Sequence, residues 1–375
     1  MNKILQFIKQ EAVLCVALIL AVCSSFIVTP DEKYIDYIDF KTLGILFCLM
    51  AVMVGMQEIG VFEKAAKGLL ERAKSLRMVM MVLVLLCFFS GMFITNDVAL
   101  ITFVPLAMIT LKLLGKEFFS HYVIPVVVLQ TLAANMGSML TPIGNPQNLY
   151  LYGISGLSMG AFLKVMLPYT GLALLMLLGC IMIVSRKENK ELQVKFEDVQ
   201  ESIPKKEMLL YVALFLLSLA SVARFVPWMI AVVIVLPAVI HVKASILKKV
   251  DYSLLFTFVG FFVFIGNMGR VDVFHNFLKD FIGGREILTA IVSSQVMSNV
   301  PAALLLSEFT ANYKALIIGT NIGGLGTLIA SMASLISFKF ISRKAGEMKG
   351  KYFVYFTLAN IGFLIPMLIL IKIIL

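Results

Sequence analysis

Two groups of polar residues interrupt apolar stretches of the chain at spacings that suit ion chemistry. Thr95, Asn96 and Asp97 lie within "FITNDVALITFVPL", and Ser298 and Asn299 lie within "SSQVMSNVPAALLL". Hydroxyl and amide groups offer both donors and acceptors, so such groups suit anions and cations alike. A carboxylate in an apolar segment is costly and indicates a role in handling ions or protons.

A glycine-rich break follows each polar group. The breaks read "ANMGSMLTPIGNPQNL" (134–149) and "TNIGGLGTLIASMASL" (320–335). Where a membrane helix breaks, free carbonyls can coordinate a cation, and free amides at a positive helix end can hold an anion. The sequence thus predicts a binding site for a small ion where the polar groups meet the breaks.

The composition indicates the elements that must position these residues. Of the 375 residues, 60% are hydrophobic and only 14% are charged, whereas about a quarter are charged in soluble domains. Apolar runs near the length of a bilayer-spanning helix recur along the whole chain. We therefore expect an all-α polytopic membrane protein.

The distribution of basic residues predicts the orientation. They lie in short loops, without the interleaved aromatics of a nucleic-acid surface, so we expect the lipid bilayer as surroundings and no nucleic acid as partner. With a cytoplasmic amino terminus, nine crossings and two re-entrant hairpins, 23 of the 32 Lys and Arg residues face the cytoplasm. This predicts a multi-pass inner (plasma) membrane protein whose carboxyl terminus lies on the opposite side.

Comparing the chain with itself predicts two inverted-topology repeats, each with a re-entrant hairpin and a broken transmembrane helix. "DFKTL" (39–43) pairs with "DYSLL" (251–255), and the two breaks pair so that Asn135 matches Asn321 and Thr141 matches Thr327. Inverted repeats with broken helices are typical of secondary transporters. No GxxxxGK[ST] motif of a pumping ATPase occurs in the sequence.

The predicted organisation has four parts. They are an amino-terminal transmembrane helix and loop (1–39), repeat 1 (40–185, hairpin tip 95–97, broken helix 134–149), a cytoplasmic linker plus two spans (186–250), and repeat 2 (251–375, hairpin tip 298–300, broken helix 320–335). Residues 58–77 are amphipathic and predict either an interfacial helix or an ordinary loop helix.

Other interpretations stay open at this point. Ser and Thr in membrane helices often bond only to their own backbone, and "GTNIGGLG" also fits a helix-packing face. An enzyme is disfavoured because there is no HExxH motif and no pair of acids at helical spacing in the apolar segments. A passive channel would not need paired tips and breaks. No cofactor is expected, and no metal site beyond Na⁺ as a coupling ion.

The tips and breaks, and roughly residues 40–374 around them, resemble the ion transporter superfamily. "ITNDVALITFVPLAM" resembles the Asn-Asp hairpin of the arsenite permease branch, and "TPIGNPQNLYLY" is similar to the citrate permease and dicarboxylate symporter branch. In the latter branch each tip carries Ser-Asn-Thr, which holds substrate carboxylates and flanks Na⁺ sites. Here Asp97 replaces one of these hydroxyls and Val300 the other, so the resemblance implies the Ser/Thr and Asn roles only.

The resemblance implies a Na⁺- or H⁺-coupled transporter of a small anion, most simply a di- or tricarboxylate. It also implies elevator-type movement and a homodimer. The alternatives are an arsenite/antimonite-type or other oxyanion permease and a Na⁺/H⁺ antiporter. The expected substrate-binding residues are Thr95, Asn96, Ser298, Asn299 and Thr327. Those expected to bind or couple a cation are Asn96, Asp97, Thr141, Gly144, Asn145, Asn299, Asn321 and Gly324.

Overall fold

The computed structural model describes residues 11–186, 188, 191–192, 194–196 and 203–374, and every regular element within them is helical. Lys3 and Lys9, on which the predicted orientation partly rests, lie outside these residues, as does much of the predicted linker. Seven of the described helices are long and apolar enough to cross a membrane, judged by length and composition. The chain is therefore an all-α protein that spans the membrane several times.

The described residues of the first half form nine helices. They are α1 (Ala12–Ser25), α2 (Lys33–Asp36), α3 (Phe40–Glu58), α4 (Val61–Leu70), α5 (Leu76–Gly91), α6 (Asn96–Leu113), α7 (Lys116–Ser138), α8 (Pro146–Ser155) and α9 (Met159–Val184).

The second half continues with nine more α-helices and two short 3₁₀ turns at Ala244–Lys249 and Gly346–Met348. The helices are α10 (Lys205–Val222), α11 (Trp228–Lys243), α12 (Tyr252–Gly269), α13 (Asp272–Ile282), α14 (Glu286–Met297), α15 (Asn299–Ser307), α16 (Tyr313–Ile322), α17 (Met332–Lys344) and α18 (Lys349–Ile374).

Matching caps begin α3 and α12. The Asp39 carboxylate accepts from the amide of Thr42 at 3.0 Å, and the Asp251 carboxylate accepts from the amide of Leu254 at 2.9 Å. Each cap satisfies one of the backbone donors that a helix start leaves free. The two caps fall on the first residues of "DFKTL" and "DYSLL", the segments that self-comparison pairs.

The helices pack in two groups. Helix α3 packs with α10, α11 and α12, and α12 packs with α1; we call these five helices the frame. Helices α5 to α9 and α14 to α18 form what we call the hairpin body, in which α5 and α6 pack with α7, and α14 and α15 pack with α16. The frame meets the body mainly through α3 against α8 and α12 against α15. Both halves of the chain thus contribute to both groups.

Close backbone contact holds α5 against α7 in the hairpin body. A Cβ at Gly137 would lie 2.0 Å from the carbonyl oxygen of Phe88, so only glycine fits there. In the second half, a Cβ at Gly323 would lie 2.6 Å from Oγ of Ser294. Small residues at these positions let each broken helix approach the first arm of its hairpin.

The boundaries differ from the expected ones at three places. The amphipathic helix α4 covers only 61–70, and Leu69, expected on its buried face, is 46% exposed. The first hairpin turns over 92–95, so Asn96 and Asp97 already belong to α6. In the second hairpin Ser298 alone separates the two helices.

Candidate functional site

Both hairpins turn at a residue with a positive φ angle. The angle is 40° at Thr95 and 74° at Ser298, a region that side chains other than glycine rarely adopt. Such conformations cost about 1–3 kcal/mol each and persist where the surrounding structure enforces them. The paired strain therefore marks the two tips as positions that the fold holds in a defined geometry.

Each tip is tied to the break that follows it in the chain. The backbone amide of Asn96 donates to the carbonyl of Gly144 at 3.2 Å, and that of Asn299 donates to the carbonyl of Ala330 at 3.0 Å. These donors are the free amides that open the second arm of each hairpin. The same contact therefore anchors both tips, at positions that the sequence alignment pairs.

Two threonines form a second pair of contacts between break and hairpin. The hydroxyl of Thr141 donates to the carbonyl of Met92, and the hydroxyl of Thr327 donates to the carbonyl of Gln295 at 3.1 Å. Thr327 is also exposed. Both hydroxyl hydrogens are thus used on the backbone, which is the structural role left open for Ser and Thr in the sequence.

Gln295 supports the second break with its amide group. Its Nε2 donates to the carbonyls of Gly323 and Leu325, both at 2.9 Å, and its Oε1 accepts from the amide of Thr327 at 2.9 Å. One side chain therefore satisfies three backbone groups that the interrupted helix leaves free.

A buried network joins the first tip to the second break. Asn96 donates through Nδ2 to Oδ1 of Asn135 at 3.0 Å, and the same oxygen accepts from Oγ of Ser331 at 2.8 Å. All three residues are at most 5% exposed. Since Ser331 lies 196 residues from Asn135, this network brings the two halves of the chain together.

The second tip lies beside the same network. A Cβ at Gly324 would lie 3.2 Å from Nδ2 of Asn299 and 3.9 Å from Cβ of Ser331. Oγ of Ser298 lies 3.5 Å from Oδ1 of Asn299. The absence of a side chain at Gly324 therefore leaves room for the Asn299 amide next to Ser331, and both tips adjoin one polar cluster.

A second contact between the halves involves Asn321, the residue that self-comparison pairs with Asn135. Asn321 donates through Nδ2 to Oδ1 of Asn148 at 2.6 Å, and Asn148 donates to the carbonyl of Thr141 at 3.2 Å. Asn145 donates to Oγ of Ser138 at 2.8 Å. The two broken helices are thus held against each other by buried amide groups. We call the side chains of Asn96, Asn135, Asn145, Asn148, Asn299, Asn321 and Ser331 the amide cluster.

Several buried polar atoms of this region have no hydrogen-bond partner among the described residues. They are Oδ1 of Asp97, Nδ2 of Asn135, Oδ1 of Asn145, both amide atoms of Gln147 and Oδ1 of Asn321. Leaving such groups unpaired costs about 1–3 kcal/mol each. Their concentration at the tips and breaks fits a site that a polar solute, an ion or water completes.

The ends of eight helices point towards this region. Helices α6, α8, α15 and α17 begin at the tips and breaks, and α5, α7, α14 and α16 end there. Helix starts carry partial positive charge and helix ends partial negative charge. The region can therefore favour an anion and a cation side by side.

The structure brings some of the expected site residues to the amide cluster and places the others outside it. Those brought to the amide cluster are Asn96, Gly144, Asn145, Ser298, Asn299, Asn321 and Gly324. Thr141 and Thr327 direct their hydroxyls to backbone carbonyls, and Thr95 forms the turn. Asp97 is half-buried, and none of the ion pairs within the described residues includes it.

Five further residues of the region were not singled out as site residues from the sequence. They are Asn135, Asn148, Gln147, Gln295 and Ser331. The sequence already pointed to Asn135, because self-comparison pairs it with the expected site residue Asn321. Ser331 and Gln295 are ordinary polar residues in the sequence and gain a role only from what they contact.

Comparison with known proteins identifies relatives of the chain. A family model described as "Citrate transporter" matches residues 4–315. The chain is 30% identical to an uncharacterized transporter of Methanocaldococcus jannaschii and 32% identical to the inner membrane protein YbiR of Escherichia coli, each over 84% of both chains. A putative transporter arsB of Dictyostelium discoideum is 27% identical over 48% of this chain and 31% of its own length.

The fold also has a solved counterpart. The YdaH transporter of Alcanivorax borkumensis superposes with a TM-score of 0.55 over 97% of both chains, at 13% sequence identity. At that identity the match shows a shared overall fold.

Proposed function

The chain belongs to the citrate transporter family, and on that premise we propose that it is a secondary active transporter of a small anion, a di- or tricarboxylate, coupled to Na⁺ or H⁺. The observation that carries the proposal is the amide cluster. It joins two strained hairpin tips to two broken helices, one from each half, as in transporter sites built from paired discontinuous helices.

The chemistry of the cluster supports a carboxylate substrate. Nδ2 of Asn135 is buried and has no hydrogen-bond partner in the described ranges, and an amide donor of this kind pairs with a carboxylate oxygen. Four helix starts around it add partial positive charge. The seven side chains of the amide cluster are uncharged, so a bound anion there needs a cation for compensation.

Cation coupling follows from that charge balance. Oδ1 of Asn145 and Oδ1 of Asn321 are buried acceptors that no described residue bonds, and four helix ends supply partial negative charge nearby. Oxygen ligands of this type suit Na⁺, and the carboxylate of Asp97 suits a proton. A cation bound there raises the affinity for the anion, and by linkage the anion raises the affinity for the cation by the same factor.

Movement of the hairpin body against the frame completes the proposed mechanism. Each tip is hydrogen-bonded to its own break, and the breaks are bonded to each other, so the site can travel as one unit. An elevator-type change of access would carry it across the inner membrane, with a homodimer of frames as the fixed part. The cytoplasmic amino terminus and the opposite carboxyl terminus belong to the same proposal.

One observation favours a second candidate, a permease of the arsenite/antimonite type or another oxyanion permease. Asp97 places an acid directly after the first tip, without an ion-pair partner among the residues that the structure describes. It would repel a carboxylate there unless protonated or paired with a cation. The partial match to a putative transporter named arsB points the same way. A Na⁺/H⁺ antiporter would use Asp97 without any anion.

Thermal melting of the purified protein tests these candidates. A ligand that binds only the folded state raises the melting temperature by mass action. We expect citrate or a dicarboxylate to raise it, more in Na⁺ than in K⁺ or more at the lower of two pH values. Asn299→Ala should abolish the shift, while Asn267→Ala, a buried asparagine of the frame that bonds Ser24, should keep it. A shift with arsenite alone, or with Na⁺ alone, would replace the carboxylate proposal.

A further inference from the structure

A cavity of about 460 Å³ lies between the frame and the hairpin body. Charged residues of both signs line it, namely Lys33 and Arg270 together with Asp36, Asp39 and Glu308. Phe262 of α12 and Tyr150 of α8 form part of its wall. We call it the Arg270 cavity. Arg270 itself is fixed by an ion pair with Asp31 at 2.8 Å. The cavity is therefore an open recess bounded on one side by a helix of the amide cluster.

Tyr150 closes the inner side of this cavity through a hydrogen bond. Its hydroxyl lies 2.9 Å from Oγ of Ser307, on the second arm of the second hairpin. Ser307 gives its own hydrogen to the carbonyl of Leu304 at 2.8 Å, so Tyr150 is the donor. The rings of Phe258 and Phe262 lie 6.4 and 5.6 Å from the Tyr150 ring. One contact thus bridges α8, the second hairpin and the frame.

Gln147 lies directly beneath that closure. It precedes Tyr150 by three residues and Ile154 by seven, so the three side chains share one face of α8. Tyr150 and Ile154 line the Arg270 cavity. At about 1.5 Å per residue, Gln147 lies roughly 4.5 Å deeper along the helix axis. It is 1% exposed, and neither atom of its amide has a hydrogen-bond partner within the part of the chain that the structure describes.

From this arrangement we infer that the Tyr150–Ser307 contact closes a passage from the Arg270 cavity to Gln147, and that Gln147 is a binding residue for a carboxylate of the transported anion. An amide with a free donor and a free acceptor suits a carboxylate and its accompanying cation. The binding part rests on the proposed function. The closure does not, because it is a property of the fold.

Thiol labelling tests the closure without any substrate. All five native cysteines are replaced by alanine, and single cysteines are introduced as Gln147→Cys or Ile154→Cys. Each single-cysteine variant is made in two backgrounds, one that keeps Tyr150 and one that carries Tyr150→Ala. Membranes that contain each variant are treated with an impermeant maleimide. We expect Ile154→Cys to be labelled in both backgrounds, and Gln147→Cys to be labelled at least tenfold faster when Tyr150 is alanine.

Two results would overturn the closure. Equal labelling of Gln147→Cys in both backgrounds would show that Tyr150 does not block the way. No labelling in either, with Ile154→Cys labelled, would show that no passage leads there. Tyr152→Ala is the matched control, since Tyr152 lies on the other side of α8 against Phe162 and Arg224. Ser307→Ala tests the hydrogen bond alone and should speed labelling less than Tyr150→Ala.

Gln147→Met tests the binding role, since it keeps the length of the side chain and removes its amide. We expect the carboxylate that raises the melting temperature of the unaltered protein to bind Gln147→Met at least tenfold more weakly, with no change in the melting temperature of the free protein beyond a few degrees. Unchanged affinity would overturn the binding role. If no carboxylate binds the unaltered protein, the proposed function fails and the binding role with it, while the labelling result decides the closure.

Discussion

Oγ of Ser331 donates a 2.8 Å hydrogen bond to Oδ1 of Asn135, which joins the break of the second half to the broken helix of the first. The same oxygen holds the side chain of Asn96. Both residues are buried, so the contact is shielded from water. The side chain of Asn135 therefore holds the first hairpin tip and also joins the two halves of the chain.

Asn135→Ala should weaken the protein and its binding together. The substitution leaves two buried donors, Nδ2 of Asn96 and Oγ of Ser331, without their acceptor, at a cost of about 1–3 kcal/mol each. We expect a lower melting temperature and loss of the ligand-induced shift. Asn267→Ala removes a comparable buried amide from the frame and should lower the melting temperature without changing ligand affinity. Equal ligand affinity in both variants would remove Asn135 from the site.

Gly144→Ala should prevent folding of the first break. A Cβ at Gly144 would lie 2.1 Å from the carbonyl oxygen of Ser138 and 2.8 Å from that of Gly91. Both contacts are with backbone, so the clash should exceed the roughly 1–3 kcal/mol typical of overpacking. Size-exclusion chromatography in detergent should show little monodisperse protein. Gly171→Ala, in α9 with nothing within 4 Å of the added carbon, should behave like the unaltered chain.

Gln295→Glu should destabilise the second break more than Gln295→Ala does. The added carboxylate oxygen would face the carbonyls of Gly323 and Leu325, where the amide now donates to both. Alanine only leaves the backbone groups unpaired. Melting temperature measures both effects. Gln57→Ala, which loses a single 3.3 Å hydrogen bond to Thr102, is the control. If Gln57→Ala lowered the melting temperature as much as Gln295→Ala does, the role of Gln295 in supporting the break would be contradicted.

Asp97→Asn should remove the dependence of transport on pH. The carboxylate is half-buried and its Oδ1 has no partner among the described residues, which suits the binding and release of a coupling proton. Asparagine keeps the shape but cannot exchange a proton. The initial rate of substrate uptake into proteoliposomes, measured across the neutral pH range, should no longer vary with pH in the variant. An unchanged profile would assign proton coupling to another group.

The sequence predicted which elements form the site more closely than it predicted the hydrogen bonds between them. Asn96 and Asn299 stood out because polar residues interrupt apolar runs, and both lie at hairpin tips hydrogen-bonded to breaks. The membrane orientation of the two halves, and hence their inversion, stays a prediction. Thr327 fitted the pattern of a ligand equally well, yet its hydroxyl is used by the carbonyl of Gln295. Spacing alone does not show which acceptor a hydroxyl meets.

By itself, the sequence determined that the chain is an all-α membrane protein, and it predicted which positions of its two halves correspond. Apolar run length dictates membrane helices, because backbone polar groups in a bilayer must be satisfied within the segment. Glycines accompany both breaks and prolines accompany the first, but Pro105 and Pro125 lie within helices that continue, so these residues indicate the breaks without determining them. Such rules are local, so they can be read from neighbouring residues.

Only the tertiary structure decided which polar groups share one site. Asn135 meets Ser331 across 196 residues, and Asn148 meets Asn321 across 173. Whether a buried amide is paired or free for a ligand depends on such distant partners, because a hydrogen bond requires a donor and an acceptor within about 3 Å. The free amide of Gln147 beneath Tyr150 is visible only once every neighbouring donor and acceptor has been placed in space.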